Sequence, residues 1–361
     1  MAKVKKVLNV GILGQGRSGY GIHARWLREA TDQYKIVAVS DELAERRRDA
    51  KHEFGARTYT DYRELLKKER DLDLVVNALP STGHPKGTIQ ALNLKHNVVC
   101  EKPLATKVAD FDKMVAAAKE NRRMLAPFQN SRFRPYYMKV CDIIKSGVIG
   151  DVLYVRLNYS GFARRWDWQT LQKNWGGSLN NTGPHPMDHA VMFYGEGRKQ
   201  PKVFAKMISG PGTYGDADDL DIIVLHGPKS PIVEVVLNSY QAYPMGDTIH
   251  VSGAYGGIMA GENRVTWKYY DPKKAPKQSQ HKGWSIKRQF VREDLPWVEK
   301  TWEPSGMAVK DGFNFMAKLF YNNVYDVLTG KGKLIVTHQQ VRTQIAVIEQ
   351  CHSMNRLPKK K

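Results

Sequence analysis

The chain has 361 residues, which is long for a single hydrophobic core, so two domains are expected. Apolar residues make up 42% and aromatic residues 10%, which is typical of a globular protein and excludes a disordered one. The formal net charge of +20 raises the question of a nucleic-acid partner. Because the basic residues are spread over short runs without a recognition-helix or zinc-knuckle pattern, we expect no nucleic-acid partner.

No run of eighteen apolar residues occurs, so no membrane span is expected. Lysines before a short apolar stretch imitate a signal peptide at the N-terminus, but that stretch runs into a glycine-rich turn and fits a first β-strand better. The three cysteines, Cys100, Cys141 and Cys351, are far apart and lack metal or redox spacing. A reduced, cytoplasmic location is predicted.

The first third of the chain alternates short apolar strands with amphipathic helical segments. Such alternation predicts an α/β domain with a doubly wound parallel sheet of the Rossmann type over residues 1–128. The predicted strands are Val7–Leu13, Lys35–Asp41, Asp73–Ala78, Asn97–Cys100 and Met124–Phe128.

After about residue 148 the pattern changes, because apolar segments follow one another mostly without helices between them, and the second domain is predicted over residues 129–361. This pattern predicts an α+β domain with a mostly antiparallel sheet. The polar and basic stretch Lys268–Trp297 is predicted to be a long loop. The late helices can pack back on the first domain. The predicted strands and helices are Val152–Tyr159, Asp221–Leu225, Ile232–Ser239, Asp247–Ser252, Val309–Leu328 and Gln339–Cys351.

A glycine-rich turn follows the first predicted strand directly and opens a helix. Gly14, Gly16 and Gly19 form the pattern G-x-G-x-x-G, in which the first glycine permits a tight turn, the second lets the backbone approach a pyrophosphate and the third allows close helix–strand packing. The helix N-terminus supplies amide donors for the phosphates. The turn therefore predicts dinucleotide binding, with Arg17 and Ser18 among the binding residues.

Asp41 ends the second predicted strand, twenty-two residues beyond Gly19. A carboxylate at this position accepts hydrogen bonds from the adenosine ribose and repels a 2′-phosphate, which favours NAD over NADP. The arginine run Arg46–Arg48 offers the opposite possibility, since an arginine nearby binds that phosphate, but a solvated helix face also explains it. NAD is the predicted cofactor.

The triplet Glu101-Lys102-Pro103 follows the carboxyl end of a predicted parallel strand. Ligands bind at this edge of doubly wound sheets, so the triplet is either part of the site or an exposed turn.

The segment from Gly176 to His189 holds two histidines, His185 and His189, in a run of glycine, proline, amide and hydroxyl residues. Thr182, Gly183 and Pro184 resemble a helix start, which places His185 in the first turn, where the helix dipole favours a neutral, proton-accepting imidazole. A structural hydrogen bond is the alternative role. The zinc-protease pattern needs glutamate directly after the first histidine, and Pro186 stands there instead, so no metal is expected.

Taken together, the glycine-rich turn, the acidic residue after the second strand, Glu-Lys-Pro near residue 100 and the later G-x-H-x-x-D resemble the Gfo/Idh/MocA oxidoreductase family over nearly the whole chain. The resemblance implies that Lys102 is the active-site lysine beside the nicotinamide, with Glu101 next to it, and that His185 is the general base. Family members often carry aspartate four residues before that histidine, where this chain has Asn181. Asn181 then either orients the ring, binds substrate or caps the helix, or Asp188 takes over its electrostatic role.

The stretch Gly161–Trp175 is rich in aromatic and charged residues and leads into the histidine segment. Its tryptophans are candidates for stacking on a sugar ring, and its charged residues for bonding hydroxyl groups; a subunit interface is the alternative. Further candidates lie after the last strand of the first domain and before His185. The proposed substrate residues are Arg164, Arg165, Trp166, Asp167, Trp168, Trp175, Asn130, Arg132, Tyr136, Asn181 and Thr182.

The resemblance implies an NAD-dependent dehydrogenase that removes hydride from a secondary carbinol of a sugar, glycoside or cyclitol, with oxidation of a glucoside at C3 as the first hypothesis. Alternatives are an inositol dehydrogenase, an enzyme that keeps NAD bound and returns the hydride within one cycle, and a non-catalytic dinucleotide sensor. The resemblance also implies that the second domain, with a large, open sheet, binds substrate and supports oligomerisation. The homo-oligomer is expected to be joined through the open face of that sheet.

Overall fold

The computed structural model describes residues 6–243, 246–280 and 292–358, and its strands and helices all lie within these ranges. Six parallel strands of the described residues form the first sheet in the order β3-β2-β1-β4-β5-β6. This order is that of a doubly wound dinucleotide-binding sheet, which confirms the predicted fold. The strands are β1 Leu8–Leu13, β2 Tyr34–Ser40, β3 Arg57–Tyr59, β4 Leu74–Asn77, β5 Val98–Cys100 and β6 Leu125–Pro127.

Helices connect these strands on both faces of the first sheet. The helix after β1 begins with a π-helical turn, Gly19–Ala24, and continues as α1, Arg25–Leu27. The others are α2 Ala44–Phe54, α3 Tyr62–Lys68, α4 His84–Asn93 and α5 Val108–Glu120, and α6, Pro135–Lys145, follows β6.

The second sheet has eight strands within the described residues, in the order β14-β13-β12-β11-β7-β10-β9-β8. Strands β7 and β10 pair parallel and all other neighbours pair antiparallel, so the predicted mostly antiparallel sheet is confirmed. The strands are β7 Val152–Ser160, β8 Lys202–Ile208, β9 Leu220–His226, β10 Ile232–Asn238, β11 Ile249–Gly253, β12 Gly256–Ala260, β13 Val265–Tyr269 and β14 Val298–Trp302.

Several strands lack the sequence pattern that would have predicted them. The edge strand β14 is exposed at four of its five positions and so shows no alternation. Strand β12 begins with two glycines, and a Cβ at Gly256 would lie 2.2 Å from the main-chain oxygen of Lys268, so close strand pairing requires glycine there. The predicted loop Lys268–Trp297 is shortened, because β13 extends to Tyr269. Residues 270–280 and 292–297 contain no helix or strand, and 281–291 lie outside the described residues.

The remaining helices are α7 Ser178–Asn181, α8 Pro184–Gly195, α9 Met307–Lys310, α10 Gly312–Leu328 and α11 His338–Met354. The helix predicted at 309–328 is divided at Asp311, whose side chain accepts a hydrogen bond from Asn314 N at 3.1 Å and so starts α10. Helix α11 begins with a capping box between Thr337 and Gln340.

Late helices join the two sheets. Helix α10 packs on the first sheet, where Phe320 and Tyr321 share a buried cluster with Phe128. Helix α11 contacts α5, α8 and β8, and therefore touches elements of both halves. The division at residues 1–128 and 129–361 stays a prediction.

Among the described residues, no helix is both long and apolar enough to cross a bilayer.

Candidate active site

The glycine-rich turn has the shape of a phosphate cradle. Gly14 has φ of 89°, and a Cβ there would lie 2.6 Å from the main-chain oxygen of Ala78. A Cβ at Gly19 would lie 1.9 Å from the main-chain oxygen of Gly14, so helix and strand meet too closely for any side chain. A Cβ at Gly16 would meet only Arg46, at 3.8 Å, so the turn is open on that side. These three positions would hold a dinucleotide, because the open side at Gly16 would let the backbone approach a pyrophosphate.

Asp41 lies at the other end of this cradle. Its carboxylate accepts hydrogen bonds from the backbone N–H of Gln15 at 2.8 Å and of Leu43 at 2.9 Å. Arg46 reaches the same carboxylate at 3.3 Å. The two backbone bonds hold the carboxylate at the end of β2, which is the position that receives an adenosine ribose.

A cleft of about 1090 Å³ runs from this cradle to Lys102 and to the stretch Gly161–Trp175, here called the aromatic loop. All of the predicted cofactor residues except Gly19 line it, and Gly19 closes the turn from behind. The lining includes Gly14, Gly16, Arg17, Ser18, Asp41, Arg46, Tyr62, Leu79, His84, Glu101, Lys102, Arg165, Asp167, Trp168, Gln169 and Asn181.

The carboxylate of Glu101 is buried behind Lys102 and contacts both His23 and the backbone of Lys102. Its carboxylate lies 3.1 Å from His23 Nε2 and accepts the backbone N–H of Lys102 at 2.9 Å, while His23 Nδ1 lies 2.7 Å from the hydroxyl of Tyr321. Burial alone would raise the pKa of Glu101, but the hydrogen bond and charge of His23, together with the charge of Lys102, outweigh it and lower that pKa. The Glu101 carboxylate is therefore an anion directly beside Lys102, and its hydrogen bond fixes the backbone of Lys102.

Lys102 connects the two halves of the site. Its Nζ donates a hydrogen bond to the main-chain oxygen of Asn181 at 2.7 Å. Burial lowers the pKa of Lys102, the Glu101 carboxylate opposes this, and the charges of Arg17 and Arg165 add to it. The ammonium group is thus presented at the end of the cofactor cleft, where it is poised to stabilise negative charge on a reacting oxygen.

His185 lies in the first turn of α8, as predicted. The residue is half-buried, and its Nδ1 is buried without a hydrogen-bond partner among the described residues. Burial, followed by the charges of Lys102 and Arg134, lowers the pKa of His185 well below 6.5. The imidazole is therefore neutral at neutral pH, the form that accepts a proton.

The side chains of Asn181 and Asp188, the two residues expected to support His185, bond to other residues. The side chain of Asn181 accepts from Gln169 Nε2 at 3.3 Å rather than bonding the imidazole. Asp188 faces away into a buried pair with Arg132, with N–O distances of 2.6 and 2.8 Å. Both oxygens of Asp188 therefore contact Arg132, and an electrostatic role of Asp188 toward His185 stays a prediction.

Arg132 was expected at the substrate cleft, and its contacts correct that expectation. The residue is 7% exposed, and its remaining guanidinium contacts go to Gln340 and to the main-chain oxygen of Ile335. Its donors thus serve the protein interior, which leaves a structural role. Asn130, at 4% exposure, is buried next to it in the short turn after β6.

The start of α8 also differs in detail from the prediction. Pro184 occupies the first turn as expected, but the N-cap is Gly183 and no side chain caps the helix. Thr182 is exposed, and because no side-chain hydrogen bond caps α8, neither Thr182 nor Asn181 is a cap of this helix. His189 is structural, because its ring stacks on Tyr137 at 3.8 Å and burial lowers its pKa to about 3. Among the described residues there is no group of three or more potential metal ligands.

The aromatic loop supplies the outer wall of the cleft. Arg165 bonds Asp167 at 2.9 Å and Gln169 at 2.8 Å, and these three residues line the cleft together with Trp168. Arg164 and Trp166 are exposed and lie outside this lining, and Trp166 is 76% exposed. Trp175 is half-buried in a left-handed turn with φ of 58°, and Tyr136 bonds Tyr159 at 3.3 Å.

Three residues near the site were missed from the sequence: His84, Arg134 and Gln169. His84 starts α4 at the carboxyl end of β4, a position that could have been inferred from the parallel sheet. Its ring nitrogens lie 2.7 Å from the main-chain oxygen of Pro103 and 2.9 Å from that of Leu79, so it joins the two loops that border the cleft. Gln169 lies within the predicted substrate stretch Gly161–Trp175 but was not singled out there, and no sequence pattern marks Arg134.

Comparison with known proteins agrees with this geometry. Residues 8–128 match the oxidoreductase family with an NAD-binding Rossmann fold, and residues 137–259 match the Gfo/Idh/MocA C-terminal domain. The myo-inositol 2-dehydrogenase of Thermotoga maritima is 28% identical over 316 residues, which are 84% of this chain and 92% of that enzyme.

Solved structures share the whole fold. An oxidoreductase from Bacillus cereus has a TM-score of 0.77 at 19% identity, covering 97% of this chain and 98% of that chain. The WlbA dehydrogenase of Bordetella pertussis, solved in complex with NADH and UDP-GlcNAcA, has a TM-score of 0.73 at 19% identity, covering 99% of this chain and 100% of that chain. From its two matching domains and its nucleotide cleft, this chain belongs to the Gfo/Idh/MocA family and is an NAD-dependent oxidoreductase.

Proposed function

We propose that the protein oxidises a secondary alcohol of a cyclic polyol, either a sugar, a glycoside or a cyclitol. The observation that carries this proposal is the placement of Lys102 at the end of the nucleotide cleft, where its Nζ bonds to the main chain of Asn181, four residues before His185. An alcohol dehydrogenase needs a cation beside the reacting oxygen and a base for its proton, and these two residues supply both.

NAD supplies the hydride acceptor when bound, and Gly14, Gly16, Gly19 and Asp41 are the residues that would hold it. The ammonium group of Lys102 donates a hydrogen bond to the substrate hydroxyl and stabilises the oxyanion that develops as its proton leaves. Because Nδ1 of His185 is buried, Nε2 is the nitrogen that takes this proton.

The first substrate hypothesis remains a glucoside oxidised at C3. Trp168 supports it, because this tryptophan lines the cleft and is still 46% exposed, which leaves a ring face for stacking on a pyranose. The polar neighbours Arg165, Asp167 and Gln169 offer donors and acceptors for hydroxyl groups. The second hypothesis, oxidation of an inositol, is supported by the similarity to a relative named myo-inositol 2-dehydrogenase.

A panel assay separates these hypotheses. Purified protein is incubated with NAD and methyl glucoside, an aryl glucoside, a C-glucoside or myo-inositol, and NADH is followed by absorbance while NMR locates the ketone. A ketone at C3 of a glucoside supports the first hypothesis, and oxidation of inositol alone supports the second. Failure to reduce NAD with any of these alcohols contradicts the proposed activity as a freely exchanging dehydrogenase.

Two variants connect the activity to the site. His185→Ala is expected to lower kcat by about 10²- to 10⁴-fold, the usual cost of removing a general base. Turnover without added NAD, together with an NADH absorbance band in the purified protein, would instead indicate that the hydride is returned within one cycle. If the function of the protein in the cell survives Lys102→Met, the protein would be a dinucleotide sensor and not a catalyst.

We also propose that copies of the chain associate through the open face of the second sheet. Apolar side chains on this face are unusually exposed for strand residues: Phe204 is 57%, Ile232 49% and Met259 45% exposed. An uncovered apolar sheet face is typical of an interface. Sedimentation at several protein concentrations tests this, and Phe204→Glu is expected to dissociate the oligomer.

A further inference from the structure

Asp218 lies just before β9 and caps α7 from outside that helix. The residue is 2% exposed. Its carboxylate accepts the backbone N–H of Leu179 at 2.6 Å, and its main-chain oxygen accepts the backbone N–H of Ser178 at 2.9 Å. Ser178 and Leu179 are the first two residues of α7, and such N–H groups have no acceptor within their own helix. A residue 39 positions beyond Leu179 therefore satisfies both.

Gly177 lets the carboxylate of Asp218 come this close. It precedes α7 with φ of 105°, and a Cβ there would lie 2.1 Å from Oδ1 of Asp218. Gly177 also occupies the N-cap position of α7, where glycine has no side-chain acceptor to offer. The start of α7 is thus held by Asp218 and not by a cap of its own.

The other end of α7 borders the cleft. The helix is a single turn, closed by a hydrogen bond from the backbone N–H of Asn181 to the main-chain oxygen of Gly177 at 2.9 Å. Since it has only four residues, it is about 6 Å long, and a shift of its start also shifts its end. The main-chain oxygen of Asn181 accepts the hydrogen bond from Lys102 Nζ at 2.7 Å, and both residues line the cleft. One turn of helix therefore connects Asp218 to Lys102.

We infer that Asp218 is a positioning residue for Lys102, which it holds at the end of the cleft by fixing the backbone of α7. This inference rests on the proposed function. Asp218 does not belong to the described residues that line the cleft, so it acts on the reaction through the main chain and not by contact with substrate or cofactor. Because the acceptor of Lys102 is a backbone atom, the placement of α7 decides where that acceptor lies.

The neighbouring residue Asp219 provides a matched control. It is also 2% exposed, and its carboxylate accepts hydrogen bonds from the backbone N–H of Gly210 at 2.8 Å and from the hydroxyl of Tyr240 at 2.5 Å. Neither of these partners belongs to α7 or lines the cleft. Asp219→Ala therefore removes an equally buried, hydrogen-bonded carboxylate while it leaves the cap of α7 in place.

Rates per folded site test the inference, with the best alcohol of the panel as substrate and NADH titration to count the sites. Asp218→Ala is expected to lower kcat by about 10- to 100-fold, the range of a lost hydrogen bond to a charged group, while NADH affinity stays as in the wild type. Asp218→Asn keeps an acceptor for the N–H of Leu179, so its kcat should stay within about threefold of the wild type. Asp219→Ala is expected to keep the wild-type kcat.

A double variant separates positioning from a loss of stability. In a Lys102→Met background, Asp218→Ala is expected to cause no further loss of kcat, because the contact through which it acts is already absent. Gly177→Ala puts a Cβ 2.1 Å from the Asp218 carboxylate, so it should give the same loss, and it replaces Asp218→Ala if that variant does not fold. Losses that simply multiply, equal losses in Asp218→Ala and Asp219→Ala, or a wild-type rate in Asp218→Ala would each overturn the inference.

Lysine acetylation keeps the inference separate from the proposed reaction. If the wild type oxidises no alcohol, the proposed function fails, but mass spectrometry can still measure how fast acetic anhydride modifies Lys102, with the exposed Lys113 as internal reference. Loss of its backbone acceptor favours the neutral amine, so Lys102 is expected to react about tenfold faster in Asp218→Ala than in the wild type. Lys102 in Asp219→Ala should react as in the wild type. Equal rates in Asp218→Ala and the wild type would overturn the inference.

Discussion

Lys102 Nζ donates its hydrogen bond to the main-chain oxygen of Asn181, at 2.7 Å, and not to the side chain. This contact joins the loop after β5 of the first sheet to the short helix α7 of the second half. Because the acceptor is a main-chain atom, any residue at position 181 can provide it. The replacement of the family's usual aspartate by asparagine therefore leaves this contact intact.

A pair of variants tests whether the side chain of Asn181 contributes to catalysis in addition to its main-chain contact with Lys102. Asn181→Ala removes only the bond to Gln169, which is long at 3.3 Å, so kcat is expected to fall by no more than about tenfold. Lys102→Met removes the cation beside the reacting oxygen and is expected to lower kcat by about 10²- to 10³-fold. Single-turnover rates with saturating NAD compare the two. Equal losses would show that the Asn181 side chain takes part in the chemistry.

The glycine cradle gives a prediction with a control on the same helix. Gly19→Ala places a Cβ 1.9 Å from the main-chain oxygen of Gly14, which forces the turn open. We expect NADH affinity to fall at least about tenfold, because the backbone donors move away from the pyrophosphate. A Cβ at Gly21 meets nothing within 4 Å, so Gly21→Ala should bind NADH as the wild type does. Fluorescence titration with NADH measures both, and similar affinities would contradict the assigned cradle.

Asp41 is expected to set the preference for NAD over NADP. Asp41→Asn removes the negative charge that repels a 2′-phosphate while Arg46 remains at the same place, so the ratio of kcat/KM for NAD to that for NADP is expected to fall. Asp49→Asn, a matched change at an exposed position of α2, should leave this ratio unchanged. An unaltered ratio in Asp41→Asn would contradict the position given to the adenosine ribose.

Local patterns were sufficient for the cofactor end of the site. The glycine turn, Asp41 and Lys102 each follow a parallel strand within a few residues, so strand prediction alone brings them to one edge of the sheet. Contacts between distant segments were not predictable in this way. Arg132 and Asp188 are 56 residues apart, and their pairing depends on how the turn after β6 packs on α8.

The sheet strands that were missed have a related explanation. Hydrophobic alternation reports which face of a strand is buried, and the exposed edge strand β14 has no buried face to report. The ion pair between Arg134 and Glu262 could likewise not be predicted from the sequence, since the two residues lie 128 positions apart and only the fold brings them together.

The buried pair of Arg132 and Asp188 predicts a large loss of stability. Asp188→Asn leaves the guanidinium, which is 6% exposed, without its counter-charge, and we expect the free energy of unfolding to fall by about 3–5 kcal/mol. Arg342→Gln breaks an exposed pair with Asp112 and should cost at most about 1 kcal/mol. Urea unfolding measures both. A small effect of Asp188→Asn would contradict the structural role given to the buried pair.

Buried histidines predict acid sensitivity. Burial lowers the pKa of His84, His185 and His189, in the case of His189 to about 3, against 6.5 for an ordinary histidine. Below pH 6.5 the unfolded chain therefore binds protons that the folded protein does not, so stability is full above this pH and decreases as pH falls towards the folded-state values. His189 alone should contribute a loss of about 2 kcal/mol at pH 5.

Urea unfolding of the wild type and of His189→Phe, at pH 8, 6.5 and 5, measures this contribution. Phenylalanine keeps a ring to stack on Tyr137 but gives up the contact between His189 and the main-chain oxygen of Ser131, so the variant is expected to be less stable at pH 8. Since it cannot be protonated, it should lose less stability than the wild type between pH 8 and pH 5. Parallel pH dependences of the two proteins would show that His189 does not remain neutral in the folded state.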